Sequence, residues 1–461
     1  MNEVELSGYS LKGIIKEVLR YKVGIFAIGI LIFLILLSIY AVITMPYEKT
    51  IYMWNNSQLW LKNPRNAIPI WWSIFIGKKL PTNINLSKYV KEKHISDNPK
   101  RIEYIYSFSY NYDEFPPELN IFFKSNYKKD PPVIKIYWEK PNGDKIFLLE
   151  RSLRGKEDTL YIQNIDKLEN VLASYIKEKV GYYPTYPLTV MRGLFVDNSG
   201  NLSIYKGNYK LYLDVTFNDQ NDTINIEPIL YGLVYGIAGT DHLRRPLSIA
   251  LLWGAPLDIS FGVGAALSIT ILHLIFATIS GWYGRRIDFI IQRFTEIFML
   301  LPFLPLVIMI SLFYKLTIWK LLLVVILTSL FGTGVKTQRA LVLQVKNLPY
   351  IEAAKAYGAS NMRIVFLYLI PKILPPVIPN LVISIPGFVF LEAILSLFGV
   401  LDPTQPTWGR IIEDAFQNGA LYKGYFYWVL EPSFMLILTA ISFAFLGFAI
   451  DKIVNPKLKE M

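Results

Sequence analysis

The residue types that most often do chemistry are scarce in this chain of 461 residues. There are no cysteines, which excludes disulfides, zinc–thiolate sites, iron–sulfur clusters and thiol nucleophiles. The three histidines, His94, His242 and His273, do not have the spacing of a metal site on a helix. No G-x-x-x-x-G-K-[S/T] loop occurs, so the chain should not hydrolyse nucleotides through a P-loop. We therefore predict a protein that is not an enzyme, with no catalytic residue, no metal and no cofactor.

Glu392 and His273 are ionisable residues that lie inside long apolar runs of the chain. A carboxylate in hydrocarbon is costly and usually faces a cavity or a partner, so Glu392 is a candidate pathway residue, although a structural pairing fits equally well. His273 is a second candidate, but a hydrogen-bonded packing role fits it better. Pro386 would kink the run that contains Glu392 and open backbone groups towards a pathway.

An alanine-rich segment beginning at Tyr350 has the residues of a compact docking element. Its first part, up to Tyr357, predicts a helix too short to stand alone in water. Gly358 permits a left-handed C-cap, and Ser360 can N-cap a second helix that ends before Pro371. Alanine side chains allow close approach of a partner surface, and one exposed glutamate offers it a carboxylate. The pattern predicts two short helices joined at a glycine.

Composition indicates that these residues are positioned by membrane helices. Hydrophobic residues make up 53% of the chain, the mean hydropathy is +0.34, and only 18% of residues are charged. The net charge of +11 is better explained by basic loops at a membrane than by nucleic acid. We predict an all-α polytopic membrane core with six spans: Val23–Met45, Ile259–Gly281, Ile297–Tyr314, Leu321–Val335, Pro375–Leu397 and Ser433–Ile450.

The N-terminal part of the chain predicts a helix on the membrane followed by a span. Within residues 1–22, apolar side chains recur at helical spacing opposite lysine and arginine, as in an amphipathic interfacial helix; a helix packed on a soluble partner is the alternative. Residues 23–45 form the first span. A cleaved signal peptide is the rival interpretation, but the run is long and has no clear A-x-A site.

The long apolar runs stop at residues 46–243. The pattern there predicts a separate, β-rich domain with a helix at Asn164–Lys179. Period-two alternation marks strands. Asn142-Gly143 lies between two of them and predicts a type I′ hairpin turn. The strands are expected at Tyr104–Tyr110, Leu119–Phe123, Val133–Trp138, Ile146–Glu150 and Lys210–Phe217. Residues 244–461 are then the core with the later spans and a loop at 336–372.

Charge and sequons indicate the orientation in the plasma membrane. Lysine and arginine concentrate in the N-terminus, the 336–372 loop and the C-terminus, which places all three in the cytoplasm and residues 46–243 outside. Four N-x-[S/T] sequons lie in that exterior stretch and are candidate glycosylation sites, which would be modified only on the non-cytoplasmic side. They begin at Asn55, Asn85, Asn201 and Asn221.

The segment after Tyr350 resembles the EAA loop of ABC importer permeases, E-A-A-x-x-x-G followed by an apolar stretch and a proline. The resemblance implies a coupling helix that sits in a cleft of the ATPase subunit. The residues that match the pattern are Glu352, Ala353, Ala354, Gly358, Ile364 and Pro371.

Further segments resemble the dipeptide/oligopeptide permease family, C-type subunit. They are Gly239-Thr240-Asp241, Gly281 to Asp288, Glu392 to Gly399, and Pro406-Thr407-Trp408-Gly409. The family implies a type I importer-like fold with a second permease subunit, two ATP-binding subunits and an exterior substrate-binding protein as partners. It also implies half of a translocation pore for peptides or oligosaccharide-like solutes. The chain departs from the family at Arg244-Arg245-Pro246 and at Tyr368, and residues 46–243 are far longer than the usual connection.

Two other function classes fit parts of the sequence. A membrane-anchored receptor or sensor would use the exterior domain to bind a ligand, but it has no use for the EAA pattern. A secondary transporter would typically show an internal repeat and ionisable residues at the midplane of the membrane.

Overall fold

The computed structural model describes residues 18–97, 99–197, 202–314 and 316–454. The chain divides into a helical unit, Met1–Asn56 with Leu247–Met461, and a β-rich unit, Ser57–Pro246. In chain order, the β-rich unit is therefore an insert in the helical unit. Most of the predicted interfacial helix at 1–22 lies outside the described residues.

The helices follow one another in this order. They are α1 (Lys22–Thr44), α2 (Tyr47–Asn55), α3 (Ser73–Ile76), α4 (Leu168–Val180), α5 (Val190–Phe195), α6 (Leu247–Tyr283), α7 (Arg285–Leu300), α8 (Phe303–Phe313), α9 (Ile318–Thr328), α10 (Thr333–Lys346), α11 (Pro349–Ala356), α12 (Asn361–Ile364), α13 (Ile370–Leu397), α14 (Trp408–Gln417) and α15 (Tyr427–Val454). Helices α3, α4 and α5 belong to the β-rich unit.

Four helices of the described chain are long and apolar enough to cross a membrane. They are α1, α6, the continuous helix Asn361–Leu397 and α15. Two bent pairs also qualify: α7 with α8, bent by 78°, and α9 with α10, bent by 52°. The predicted number of six spans is reached only if each bent pair is one span.

The two bends correct the straight spans predicted at Ile297–Tyr314 and Leu321–Val335. Leu301 is extended, with φ −69° and ψ 129°, because a residue before a proline avoids the helical region and Pro302 follows it. Gly332 is extended too, with φ −156° and ψ −172°, and ends the break before α10. Each break divides an apolar stretch that hydropathy alone reads as continuous.

The helix across Pro371 also differs from the prediction. The second short helix was expected to end before Pro371, but α12 continues through a π-helical turn, Val365–Leu369, directly into α13. Pro371 stands in the first turn of α13, where a missing N–H costs least, and the wider π turn accommodates the change of hydrogen-bond register. The EAA pattern is therefore joined to a membrane helix without a break.

The β-rich unit contains two antiparallel sheets. The strands are β1 (Ile84–Asn85), β2 (Val90–Asp97), β3 (Lys100–Tyr110), β4 (Leu119–Asn126), β5 (Val133–Glu139), β6 (Lys145–Ser152), β7 (Glu157–Tyr161), β8 (Gly207–Thr216) and β9 (Thr223–Leu230). One sheet has the order β1-β9-β4-β7 and the other β2-β3-β8-β5-β6. Four of the five predicted strands lie within β3, β4, β5 and β6, each of which is longer than predicted. The fifth corresponds to β8, which begins earlier, at Gly207, and ends one residue earlier, at Thr216.

Aromatic side chains fill the core of the β-rich unit. Along β3 every second residue from Ile102 onwards is buried, and the rings of Phe108, Trp138, Phe195 and Tyr209 pack on one another with centroids 4.9–5.8 Å apart. Such a core explains how a unit without disulfides holds together. The predicted helix at Asn164–Lys179 begins later, at Leu168, because Lys167 is left-handed, with φ 61°.

The hairpin between β5 and β6 exists, but not with the predicted type I′ turn. Gly143 N donates to Lys140 O, which makes Pro141 and Asn142 the central residues of the turn. Pro141 cannot adopt the positive φ that a type I′ turn requires there. Gly143 follows with φ 86°, so only the glycine uses the left-handed region.

Candidate functional site

The EAA segment, defined here as residues 349–371, has the predicted local geometry in its first half. Helix α11 starts with Pro349 and ends at Ala356, and Gly358 has φ 76°. Ser360 Oγ accepts a hydrogen bond from Arg363 N at 3.3 Å and so caps α12. The glycine turns the chain between the two helices because a left-handed residue there costs glycine nothing.

One side of the EAA segment is anchored in the helical unit. Ile351, Ile364 and Leu369 are fully buried. They belong to one apolar cluster with Trp282, Val342, Val365 and Ile373. The cluster joins α11, α12 and the π turn to α6 and α10.

A lysine of α10 reinforces the anchor. Lys346 Nζ donates to Gly281 O at 3.0 Å and to Trp282 O at 2.6 Å, at the C-terminal end of α6, where helical carbonyls lack intrahelical partners. Lys355 Nζ of α11 lies 4.9 Å from the centroid of the Trp282 ring. Trp282 therefore packs on Ile351 and also faces the cation of α11.

The segment Gly281 to Asp288 ties α6, α7 and α10 together. Arg339 Nε of α10 donates to Asp288 Oδ1 at 2.6 Å, and Ser280 Oγ donates to the same carboxylate. A Cβ on Gly281 would lie 2.6 Å from Val342 Cγ1, so glycine is needed where α6 crosses α10. Gly284, with φ 66°, reverses the chain before α7.

The other side of the EAA segment is open. Glu352 and Ala353 are exposed, and so are Tyr357 (93%) and Met362 (61%), on either side of the glycine turn. The last two were not among the predicted residues, although an apolar residue next to a turn glycine could have indicated them. The predicted set is thus divided: Glu352, Ala353 and Gly358 face outwards, Ala354 is half-buried, Ile364 packs inside, and Pro371 continues the helix.

Glu392 and the Trp408-Gly409 pair come together in the interior of the helical unit. The side chain of Glu392 is completely buried in α13 and accepts a hydrogen bond from Ser396 Oγ at 3.2 Å. Gly409 of α14 is so close that a Cβ there would lie 2.7 Å from Ala393 Cα and 2.9 Å from Glu392 Oε2. Glu392 therefore packs against α14.

A second buried carboxylate, Asp258 of α6, completes this group. Its Oδ2 accepts a hydrogen bond from Trp408 N at 2.9 Å, while Trp408 Nε1 donates to Leu251 O at 2.9 Å. Gly254 lies under the indole, where a Cβ would come 2.2 Å from Trp408 Cδ1. Asp258 was missed by the sequence analysis, although a lone aspartate inside an apolar run is the signal that singled out Glu392.

His273 and Pro386 have surroundings typical of packing residues. His273 Nε2 lies 2.9 Å from Ser329 O, and a Cβ on Gly334 would come 2.2 Å from His273 Nδ1. The ring therefore fills the space beside the bend between α9 and α10. Pro386 is buried within α13, which continues through it.

The Gly239-Thr240-Asp241 segment belongs to the β-rich unit, whereas Trp408 and Gly409 belong to the helical unit. Gly239 has φ 68°, and Thr240 Oγ1 donates to Pro64 O at 2.8 Å. Asp241 Oδ1 accepts from Arg245 N at 2.8 Å in a closed turn. Burial raises the pKa of the Asp241 carboxyl, and the ion pair with Arg245 opposes that shift.

The four sequons differ in how their asparagines are used. Asn85 Nδ2 donates to Glu227 Oε1 at 2.9 Å, and Asn55 Nδ2 donates to Thr404 O at 3.0 Å, so a glycan would displace either bond. Asn221 is exposed in the turn before β9. Asn201 lies outside the described residues.

Comparison with known proteins gives these features a family. Residues 273–460 match the model of the binding-protein-dependent transport system inner membrane component. The dipeptide transport system permease protein DppC of Bacillus subtilis is 29% identical over 223 residues, 48% of this chain and 69% of the relative. The protein of that name from Lactococcus lactis is 25% identical over 307 residues, 65% of this chain and 86% of the relative.

A solved structure of the MetNI methionine ABC transporter, in an inward-facing conformation, is 21% identical with a TM-score of 0.35 and covers 46% of this chain and 98% of its own. The family match covers the part of the chain that contains the EAA segment, Glu392 and the Trp408-Gly409 pair. Over residues 273–460, the chain is therefore similar to the inner membrane component of binding-protein-dependent transport systems, and relatives that it resembles are dipeptide and oligopeptide permeases.

Proposed function

We propose that this permease forms half of a translocation pore and is coupled to ATPase subunits through the EAA segment. The observation that carries the proposal is the two-sided construction of the segment. Ile351 and Ile364 are buried among the ends of α6 and α10, while Glu352, Tyr357 and Met362 are exposed around the glycine turn. An element that is rigid on one side and open on the other can transmit a partner's movement.

The partners follow from the family. A pore with this chain as one half needs a second permease subunit, and ATP hydrolysis comes from two ATP-binding subunits. An exterior substrate-binding protein delivers the solute, a peptide or an oligosaccharide-like molecule. The names of the relatives support peptides, since they are dipeptide and oligopeptide permeases.

The orientation belongs to the same proposal. We place residues 1–22, the 336–372 loop and the C-terminus in the cytoplasm, and residues 46–243 outside. The basic residues of the 336–372 loop support this placement, because cytoplasmic loops carry an excess of lysine and arginine. An exterior β-rich unit between α1 and α6 would then lie on the side from which the solute enters.

Cross-linking from the EAA segment tests the proposed partner. A Glu352→Cys variant carrying a benzophenone maleimide should form a covalent adduct with an ATP-binding subunit when the assembled transporter is illuminated. The absence of native cysteines makes the label unique. An Asn142→Cys variant is the control, since Asn142 is equally exposed but lies in the β-rich unit. No ATPase adduct from position 352, or an equal yield from position 142, would refute the assignment.

A further inference from the structure

The β-rich unit carries an exposed apolar patch that takes no part in the proposed coupling through the EAA segment. It is formed by Ile70–Ile76, which includes α3, and by Ile237, and it is called the tip patch here. Ile74 and Phe75 are each 78% exposed, and Ile237 is 81% exposed. Ile70, Trp71 and Ile76 are also exposed. Soluble proteins rarely leave so many large apolar side chains together in water, so a contiguous patch of this kind marks a surface that is covered in use.

The tip patch is held in shape by its own backbone. Trp71 Nε1 donates to Ile237 O at 2.7 Å, and Ile70 N donates to Gly236 O at 3.0 Å, which joins its two chain segments. Gly77, with φ 66°, ends α3. The rings of Trp71, Trp72 and Phe75 pack on one another with centroids 5.2–6.4 Å apart. An ordered scaffold therefore keeps these side chains pointing away from the core.

The residue types of the tip patch suit the interface of a bilayer. Tryptophan is enriched at the level of lipid headgroups, where its ring is partly wet and partly apolar. Lys78 and Lys79 follow the patch directly. Lys78 is paired with Glu114 at 2.6 Å, Lys79 Nζ lies 5.5 Å from the centroid of the Tyr112 ring, and Asp113 is paired with Lys206. These three lysines and two carboxylates leave a net charge of only +1 to attract anionic lipids. Insertion would depend on apolar contact and not on charge.

The length of the connecting chain limits how far the tip patch can lie from the start of α6. Ile237 precedes Leu247, the first residue of the spanning helix α6, by ten residues. Ten residues reach at most about 35 Å when fully extended. The segment from Ile237 to Leu247 is therefore a short tether. A bilayer crossed by α6 is a surface that the patch meets at high effective concentration.

We propose that the tip patch inserts into the interfacial layer of the bilayer that the helical unit spans, and so anchors the β-rich unit to lipid. Phe75 and Ile74 are the inserted side chains, and Trp71 lies at the headgroup level. Neutral phosphatidylcholine should be sufficient as the lipid.

A fluorescent label distinguishes lipid from water at this surface. Phe75→Cys is labelled with the environment-sensitive dye NBD, and the full-length protein is placed in phosphatidylcholine nanodiscs. Phe147→Cys is the matched control, because Phe147 is a phenylalanine of the same unit, 47% exposed on β6. We expect a blue-shifted emission at position 75 and quenching by doxyl-labelled lipid several-fold stronger than at position 147, with the opposite order for aqueous iodide.

Two results would overturn the proposal. The first is a label at position 75 that iodide quenches as strongly as the label at position 147. The second is a label at position 75 that doxyl lipid does not quench and that becomes protected from iodide only when the other transporter subunits are added, which would assign the patch to a protein partner. An Ile74→Cys variant gives an independent measurement, since its side chain is equally exposed and its loss cannot disturb a core.

Discussion

At the scale of single residues, the contact between α13 and α14 is set by a glycine. A Cβ at Gly409 would lie 2.7 Å from a backbone atom of Ala393. Gly409→Ala should therefore destabilise the protein by about 1–3 kcal/mol through overpacking. Thermal unfolding in detergent measures this effect. Gly387→Ala on α13 is the control, because nothing lies within 4 Å of its Cβ and alanine favours a helix. An equal loss of stability in both variants would contradict this explanation.

A buried lysine makes the stability of the β-rich unit depend on pH. Lys140 is 1% exposed, and its Nζ donates to Val196 O at 2.9 Å. Burial lowers the pKa of Lys140 from 10.5 to about 8. The folded unit thus favours the neutral amine. The cost of burying the charge, about 3 kcal/mol, is fully present below pH 8 and disappears as the pH rises towards 10.5.

Replacing this lysine tests the sign of the effect. Lys140→Met should raise the free energy of unfolding at pH 7 by about 2 kcal/mol, after about 1 kcal/mol is lost with the hydrogen bond to Val196. Most of the gain should vanish by pH 10. Unfolding curves at the two pH values measure it, with the exposed Lys128→Met as the control. A gain that stays constant between pH 7 and pH 10 would contradict the assigned pKa.

The role of a residue could be predicted from the sequence where local backbone geometry determines it, and not where a long-range contact does. Gly358 and Ser360 act through local backbone geometry, and both do what their types indicate. Asp258 accepts a hydrogen bond from Trp408, 150 residues away in the sequence. No local sequence pattern predicts that partner. The role of Glu392 was left open for the same reason, since its neighbour Gly409 comes from another helix.

At the scale of elements, one side chain reinforces the docking of α10 on α6. Lys346 Nζ donates to two carbonyls at the end of α6. Lys346→Met should cost about 1.5–3 kcal/mol of stability, the usual value for hydrogen bonds to a charged group. Lys336→Met, on the same helix, should change it by less than about 0.5 kcal/mol, because Lys336 has only a loose, exposed ion pair with Glu296 at 3.7 Å. Thermal unfolding compares the two, and equal effects would rule out a specific role for Lys346.

Helices and strands could be predicted from the sequence where the hydrophobic periodicity and the turn residues agree. They were harder to predict at prolines. The alternation along β3 or β5 identifies these strands. Pro302 and Pro371 have opposite outcomes: the first breaks a helix and the second is absorbed behind a π turn. A proline indicates that a helix is disturbed, but the packing around the proline determines whether the helix ends there.

At the scale of the whole molecule, the chain combines a helical unit that resembles permeases with a β-rich insert. The family match begins only after the β-rich unit has ended, since it covers residues 273–460. The resemblance therefore explains the EAA segment and the buried group around Glu392, but it says nothing about Ser57–Pro246. For that unit, the physical evidence is an aromatic core, paired charges and one uncovered apolar patch.

The central claim is that the EAA segment couples this permease to ATP hydrolysis, and the turn at Gly358 tests it most directly. Gly358 has φ 76° and nothing within 4 Å of its Cβ, so within this chain a substitution there acts through backbone conformation alone. A left-handed valine costs about 2 kcal/mol or somewhat less, whereas asparagine tolerates this region.

The decisive measurement is ATP-driven uptake by the reconstituted transporter with Gly358→Val and Gly358→Asn. We predict that the valine variant inserts normally but loses roughly tenfold in transport, as a strain of about 1.4 kcal/mol or more implies, while the asparagine variant stays close to the parent. Transport and ATP turnover equal to the parent in Gly358→Val would contradict the account.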